Sequence, residues 1–161
     1  MKILQIISSP RGEASQTIQL SEAIIKKLVA KNNNASVTVR NLTVNPLPYI
    51  ASHHIQSFNT LGENRSAEQL DVIKLSDNIV AELKNSDVIV IGAPMYNFGV
   101  PAVLKSWIDH LARAGVSFNY TADGPVGLIQ GKKVFLAIGT GGVYSEGDYK
   151  AIDFIEPYLR T

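Results

Sequence analysis

The chain predicts a doubly wound parallel α/β sheet, and three observations predict it. Val88-Ile89-Val90-Ile91 is an unbroken apolar run, β-branched at every position. A strand with no polar face is covered on both faces, the habit of central parallel strands. Strand-like and helix-like stretches alternate in the order β-α-β-α-β-α-β-α, with no internal repeat and no low-complexity segment. Glycine and proline then break the chain where the third and fourth apolar strands end: Gly92, Pro94, Gly99 and Pro101, and Gly139 to Gly142.

Taken in order, Lys2 to Ile7 reads as the first strand and leads into a polar loop, Ser8 to Thr17. A helix is expected from about Gln16 to Lys31, with Leu20, Ile24 and Leu28 spaced at i+4 and Ile25 and Val29 widening the stripe. Ser36 to Arg40 alternates like a half-exposed strand and suits a sheet edge. Asn41 to Arg65 is long and irregular, with a short helix expected around Ser52 to Asn59. Ser66 to Asn85 reads as a helix opened by an S-x-x-Q capping box, its apolar face Val72, Leu75, Ile79 and Leu83.

Pro101 opens a third long helix, with Leu104, Trp107, Ile108 and Leu111 inward and Gly115 as its stop. Trp107 lies within that stripe and reads as core. Lys105 with Asp109, and Asp109 with Arg113, read as i,i+4 pairs on its outer face. Val116 to Val126 is an excursion carrying Phe118 and Tyr120. Val134 to Ile138 is the fourth strand, and a last helix is expected over about Tyr149 to Leu159, weakened by Pro157.

At 161 residues, with 45% apolar and 18% charged residues, the chain reads as one globular domain. A formal charge of +1 gives no basic face for nucleic acid. Without cysteine there is no disulfide, thiolate catalysis or Cys-based zinc site. His53-His54 is read as a solvated loop pair, not a metal site. No apolar run approaches a membrane span and no leader precedes the first strand, so the expected location is cytoplasmic.

In such a sheet the loops after strands one, three and four share one edge, where α/β proteins bind ligands. The first offers the hydroxyls of Ser9, Ser15 and Thr17 before a helix N-terminus, a place suited to an anion. Neither G-x-x-x-x-G-K-[ST] nor G-x-G-x-x-G occurs, which argues against a magnesium nucleotide and a Rossmann dinucleotide. Hydroxyls without a glycine-rich fingerprint suit a single phosphate monoester. The other two loops supply aromatic, amide and glycine-rich surface for a flat ring. Serines before a helix are often only caps, and glycines after a strand only turns, so the expectation rests on the three together.

A-P-M-Y-N-F at Ala93 to Phe98, A-R-A-G-V-S-F-N-Y-T at Ala112 to Thr121, and G-P-V-G-L-I-Q-G-K-K at Gly124 to Lys133 resemble the FMN-dependent NADH:quinone oxidoreductases, also called azoreductases. The resemblance covers nearly the whole chain. It implies a flavodoxin-like fold and a homodimer with FMN near the subunit interface. It further implies that Ser9, Ser15, Gln16 and Thr17 hold the phosphate and ribityl chain, that Met95, Tyr96, Asn97 and Phe98 line the ring system, and that Gly139, Thr140, Gly141 and Gly142 close its other edge. Phe118 and Tyr120 would face substrate, across the dimer interface. Two departures stand out. This chain has Gly139-Thr140-Gly141-Gly142 where the family often has S-R-G-G, and the family continues for another strand and helix beyond the segment matching Pro157 to Thr161. The 161-residue form is therefore expected to be a truncation, less stable than a longer one.

The implied activity is transfer of hydride from NADH or NADPH to FMN and of two electrons onward to a quinone or azo compound, in ping-pong order. No side chain stands out as a catalytic acid or base. The alternative is a flavodoxin-type electron carrier; such carriers are strongly acidic, and +1 is not. A receiver-type signalling domain would need acidic residues after the first strand, where Ile6-Ile7-Ser8-Ser9 has none.

Overall fold

A computed structural model describes all 161 residues. In chain order the first elements are β1 (Lys2–Ile7), α1 (Gln16–Ala30), β2 (Ser36–Asn41), α2 (Ser52–Asn59), α3 (Ala67–Lys84) and β3 (Val88–Pro94). They are followed by α4 (Ala102–Leu111), β4 (Phe118–Thr121), β5 (Gly124–Gly127), β6 (Lys133–Gly139) and α5 (Ile155–Arg160). Four strands form one parallel sheet in the order β2-β1-β3-β6, while β4 and β5 make a separate antiparallel hairpin.

Alternation along the central strands builds a core on each face. Leu4, Ile6, Ile89 and Ile91 turn to one side and pack with Ile79 and Leu83 of α3, Leu104 and Trp107 of α4 and Ile155 of α5. Ile3, Val88 and Val90 turn to the other and pack with Ile25 of α1. Each such side chain stabilises the fold by roughly 1.5–3 kcal/mol. β3 is buried over its whole length, and Trp107 is core, both as its sequence requires.

Helix faces depart from the expected stripes. In α1, Leu20 and Val29 are exposed and the inward residues are Thr17, Ile18, Ser21 and Ile25. Ser21 turns inward because the buried Gln5 amide of β1 donates to its hydroxyl at 2.8 Å. In α3 the inward face is Ile73, Ser76, Ile79, Val80 and Leu83, rotated by about one residue from the expected face. The capping box is present: Gln69 N–H donates to Ser66 Oγ at 3.3 Å and Ser66 N–H to Gln69 Oε1 at 3.0 Å. The expected last helix is split. A 3₁₀ turn covers Asp148–Ile152, and the Asp153 carboxylate then accepts the Ile155 N–H at 3.0 Å to start α5.

β6 is the outer strand beyond β3, and its far edge pairs with no strand of this chain. Within Val134 to Ile138 only Ala137 is fully buried, and Val134 is 51% exposed. On one face Leu136 and Ile138 pack against the cluster that includes Ile155, and on the other Phe135 packs against the cluster that includes Ile25, so the run is covered in part on both faces.

A polar core lies between α2, α3 and α4, and it corrects two expectations. His54 is not solvated: it sits in α2, 5% exposed, its ring centroid 4.0 Å from His53 and 5.2 Å from the fully buried His110 of α4. The Ala51 N–H donates to His54 Nδ1 at 3.1 Å, which requires that nitrogen to carry no proton. Burial, then the imidazoles of His53 and His110, hold His54 below its ordinary pKa of 6.5. Arg113 does not pair with Asp109. α4 ends at Leu111, before Gly115, and Arg113 turns inward to 6% exposure. There it donates to Ser76 Oγ at 3.0 Å, pairs with Asp77 at 2.9 Å and lies 5.5 Å from the Phe58 ring centroid. Lys105 and Asp109 do pair, at 2.6 Å.

Candidate functional site

The carboxyl ends of β1, β3 and β6 lie side by side, with Ile7 opposite Gly92 and Pro94 opposite Gly139. The loops that follow therefore open at one edge of the sheet. A cavity of about 250 Å³ lies there. It is lined by Ser9, Arg11, Ser15, Gln16 and Thr17, by Pro94, Met95 and Tyr96, and by Gly139, Thr140 and Gly141.

Hydrogen bonds lock the three loops to one another. Ser8 Oγ donates to Gly92 O at 2.6 Å, tying the first loop to β3. Met95 N–H donates to Gly139 O at 2.7 Å, tying the second to β6. Thr140 Oγ1 donates to Gly142 O at 2.7 Å and folds the third on itself. Ser15 caps α1, accepting the Ile18 N–H at 3.4 Å, and its hydroxyl lies 3.0 Å from Thr17 Oγ1.

Two glycines at this edge sit close against Thr17. A Cβ on Gly92 would lie 3.3 Å from Thr17 O, and one on Gly139 would lie 2.7 Å from Thr17 Cγ2. Real Cβ atoms do not reach the second distance, so a side chain at position 139 requires the Thr17 side chain to move. The first-turn N–H groups of α1 have no intrahelical acceptors, and the helix dipole favours negative charge there. With Ser9, Ser15 and Thr17 each 2% exposed at the cavity wall, that donor set fits a phosphate monoester.

Tyr96 to Gly99 forms a tight turn. Tyr96 N–H donates to Gly99 O at 3.0 Å and Gly99 N–H to Tyr96 O at 3.1 Å. Asn97 and Phe98 between them have φ of 48° and 68°, the left-handed pair of a type I′ turn. Asparagine tolerates that region; phenylalanine does so at roughly 1–2 kcal/mol. Such strain persists where the surroundings over-determine it, and ligand sites are where it collects.

Eleven residues define the cavity wall, and nine of them are residues the sequence singled out. Asn97 and Phe98 stand exposed at the tip of the turn, and Gly142 follows the third loop. Phe118 and Tyr120 do not join this cavity. They line a separate apolar groove of about 540 Å³ that also touches Ile89 of β3 and Val134 of β6, near the strands' amino ends. Sequence reasoning missed Arg11, the one cationic side chain on the wall. Its signal was available: a guanidinium in a hydroxyl-rich loop that enters a helix is placed for an anion.

Profile and pairwise comparisons agree with this geometry. The flavodoxin-like fold family matches residues 1–161. An FMN-dependent NADH:quinone oxidoreductase of Herminiimonas arsenicoxydans is 49% identical over 99% of this chain and 78% of its own length. One from Azospirillum brasilense is 48% identical over the full chain and 78% of its own length. Among solved structures, an azoreductase from Bacillus anthracis Sterne superposes with a TM-score of 0.90 at 32% identity, covering 99% of this chain and 78% of that one. An FMN-dependent NADH-azoreductase from Bacillus anthracis Ames Ancestor, in complex with FMN, superposes with a TM-score of 0.87 at 25% identity, over 98% and 78% of the two chains. The chain belongs to the flavodoxin-like fold family and, within it, to the FMN-dependent NADH:quinone oxidoreductases.

Proposed function

We propose that this chain is an FMN-dependent NAD(P)H oxidoreductase that reduces quinones and azo compounds, with donor and acceptor using one site in turn. The observation that carries the reading is the meeting of the α1 N-terminus with the Met95–Gly99 turn in one cavity, in a chain so similar to such enzymes. Bound there, FMN supplies the redox chemistry, taking hydride from the nicotinamide and giving two electrons to the acceptor.

The chain's own residues bind and orient. Ser9, Ser15, Gln16 and Thr17, with the first-turn N–H groups of α1, would hold the phosphate, and Arg11 would balance its charge. Met95 and Tyr96 would pack against the ring system, with Asn97 and Phe98 at its rim. Backbone N–H groups of the glycine loop, Gly139 to Gly142, would favour negative charge at the ring's polar edge. No ionisable side chain on the wall is placed as a general acid, so protons would come from solvent.

A homodimer goes with this reading. Tyr120 is 76% exposed on a hairpin whose groove lies apart from the cavity, and a second copy could bring it to the neighbouring site. Use of NADH goes with a cytoplasmic location; no helix here is long and apolar enough to cross a membrane.

An electron carrier without turnover is the competing reading, and the +1 charge speaks against it. The test is titration of the protein with FMN and riboflavin, then NADH oxidation with a quinone at several fixed quinone concentrations. FMN should bind more tightly than riboflavin, and the double-reciprocal lines should be parallel. Equal affinity for the two flavins would remove the phosphate role, and absence of quinone-dependent NADH oxidation would favour the carrier.

A further inference from the structure

We infer that residues 48–59, which include α2, form an acid-released strap: closed on α4 at neutral pH, it comes away in mildly acid solution while the sheet and the cavity stay folded. The device is the contact between His54 and the start of its own helix. His54 is the third residue of α2, and its Nδ1 accepts the Ala51 N–H at 3.1 Å. At this position a glutamate or glutamine side chain commonly caps the helix in the same way. An imidazole caps it only while Nδ1 holds no proton. A proton there sets one donor against another and breaks the cap. It also places positive charge at a helix N-terminus, where the dipole disfavours it.

The groups around His54 act in the same direction. His53, on the same helix, has its ring centroid 4.0 Å away, and His110 of α4 stands at 5.2 Å. From α3 and the segment after α4 come Asp77 and Arg113, which pair with each other at 2.9 Å, the guanidinium lying over Phe58. Arg65, before α3, is engaged with the Ser57 carbonyl at 3.1 Å. Burial and the two imidazoles hold His54 below its ordinary pKa, so the ring is neutral in the closed strap and takes a proton more readily once the strap opens.

Little apolar packing opposes that opening. α2 is eight residues long, too short to persist without its cap and its docking. Its buried residues are His54 and Ser57, both polar, and neither apolar core takes a side chain from it. Leu47, just ahead of the strap, is buried in the main core and serves as the hinge. Pro48 O accepts from Ser106 Oγ at 2.8 Å and faces His110 Nε2 at 2.9 Å. A carbonyl only accepts, so His110 carries its proton on Nε2. Its Nδ1 is then buried with no partner, a cost that opening relieves. Segments held this weakly open by themselves, ahead of the core. No strap residue lines the cavity, which opening therefore leaves in place.

The test is hydrogen exchange of the full chain at several pH values from about 7.5 to about 5.5, each rate divided by that of an unstructured peptide at the same pH. One proton taken up on opening raises the open fraction toward tenfold per pH unit below about pH 6.5. Protection in peptides covering α2 should therefore fall by about tenfold across the range, while protection in β3 holds. His54→Gln keeps an acceptor for the Ala51 N–H and cannot titrate, so it should abolish the fall. An equal fall in β3 would mean that the chain unfolds as a whole, and a fall that persists in His54→Gln would assign the proton to another group. Either result overturns the strap. Should His54→Gln fail to fold, the exposed position 53 gives the second variant. His53→Ala removes one repelling imidazole and should shrink the fall; an undiminished fall overturns the mechanism.

Discussion

Gly139 and Thr17 are held so close that a Cβ on Gly139 would lie 2.7 Å from Thr17 Cγ2. The two residues belong to the last sheet strand and the first helix, and the cavity wall contains both. Gly139→Ala should therefore force Thr17 to rotate. Threonine is stiff at χ1, so the rotation takes its hydroxyl away from Ser15 Oγ. The expected loss is about 1–3 kcal/mol of stability in urea denaturation, with FMN held several-fold more weakly. Thr17→Ser deletes Cγ2 and keeps the hydroxyl, so the double variant should recover most of both losses. A double variant as impaired as Gly139→Ala would show that the clash lies elsewhere.

Phe98 pairs strain with function. Replacing it by glycine removes the left-handed penalty, and Phe98→Gly should raise stability by about 1 kcal/mol while turnover falls. Asn97→Ala should lower flavin retention or turnover and leave the core intact, because the exposed amide packs against nothing buried. A fully active, flavin-replete Asn97→Ala protein would remove that residue from the site. Urea midpoints beside NADH–quinone turnover decide both cases.

His54 makes stability depend on pH. Its folded pKa is depressed below the ordinary 6.5, so between those two values the unfolded chain binds more protons. The contribution is complete above about pH 6.5 and is lost as pH falls below it toward the folded value. A proton on His54 would face the imidazoles of His53 and His110 across the α2–α4 contact. The urea midpoint should drop from about pH 7.5 to about pH 5.5, and His54→Asn, which keeps an acceptor for the Ala51 N–H, should flatten that drop. Parallel profiles for the two proteins would assign the dependence to another group.

The open side of β6 carries a fourth prediction. Val134 is half exposed on β6, whose far edge pairs with no strand of this chain, a template for association between chains. Val134→Lys should reduce concentration-dependent light scattering without lowering the urea midpoint by more than about 0.5 kcal/mol equivalent. No change in scattering would place any association elsewhere, with the β4–β5 hairpin and Tyr120 the next surface to alter.

Much of this was legible in the residues. Val88 to Ile91 announced a buried central strand, and the three polar or glycine-rich loops announced the edge where the cavity opens, because strand burial and turn chemistry are local properties. Alternation alone did not fix the strand order, since both common doubly wound orders fit it; the resemblance implied the flavodoxin-like order, which is the one found. Inward-facing residues on α1 and α3 were misjudged for a tertiary reason: Ser21 and Ser76 face inward to meet Gln5 and Arg113, partners distant in sequence. His54 and Arg113 were read as surface residues because nothing local shows that α2 folds back over α4. Arg11 was readable and was passed over.

Ser8 Oγ reaches the carbonyl of Gly92 across 84 residues, and the Met95 N–H reaches the carbonyl of Gly139. The order in which a ribosome releases the chain therefore decides when the cavity can exist. Until β3 has emerged, the hydroxyl-rich loop after β1 has nothing to close against, and until residue 141 has emerged the third wall is missing. Pairings this distant in sequence form late and slowly. A nascent chain halted at residue 120 would carry every hydroxyl proposed to hold the phosphate and still retain no flavin, so colour acquired during synthesis would time the docking of β6.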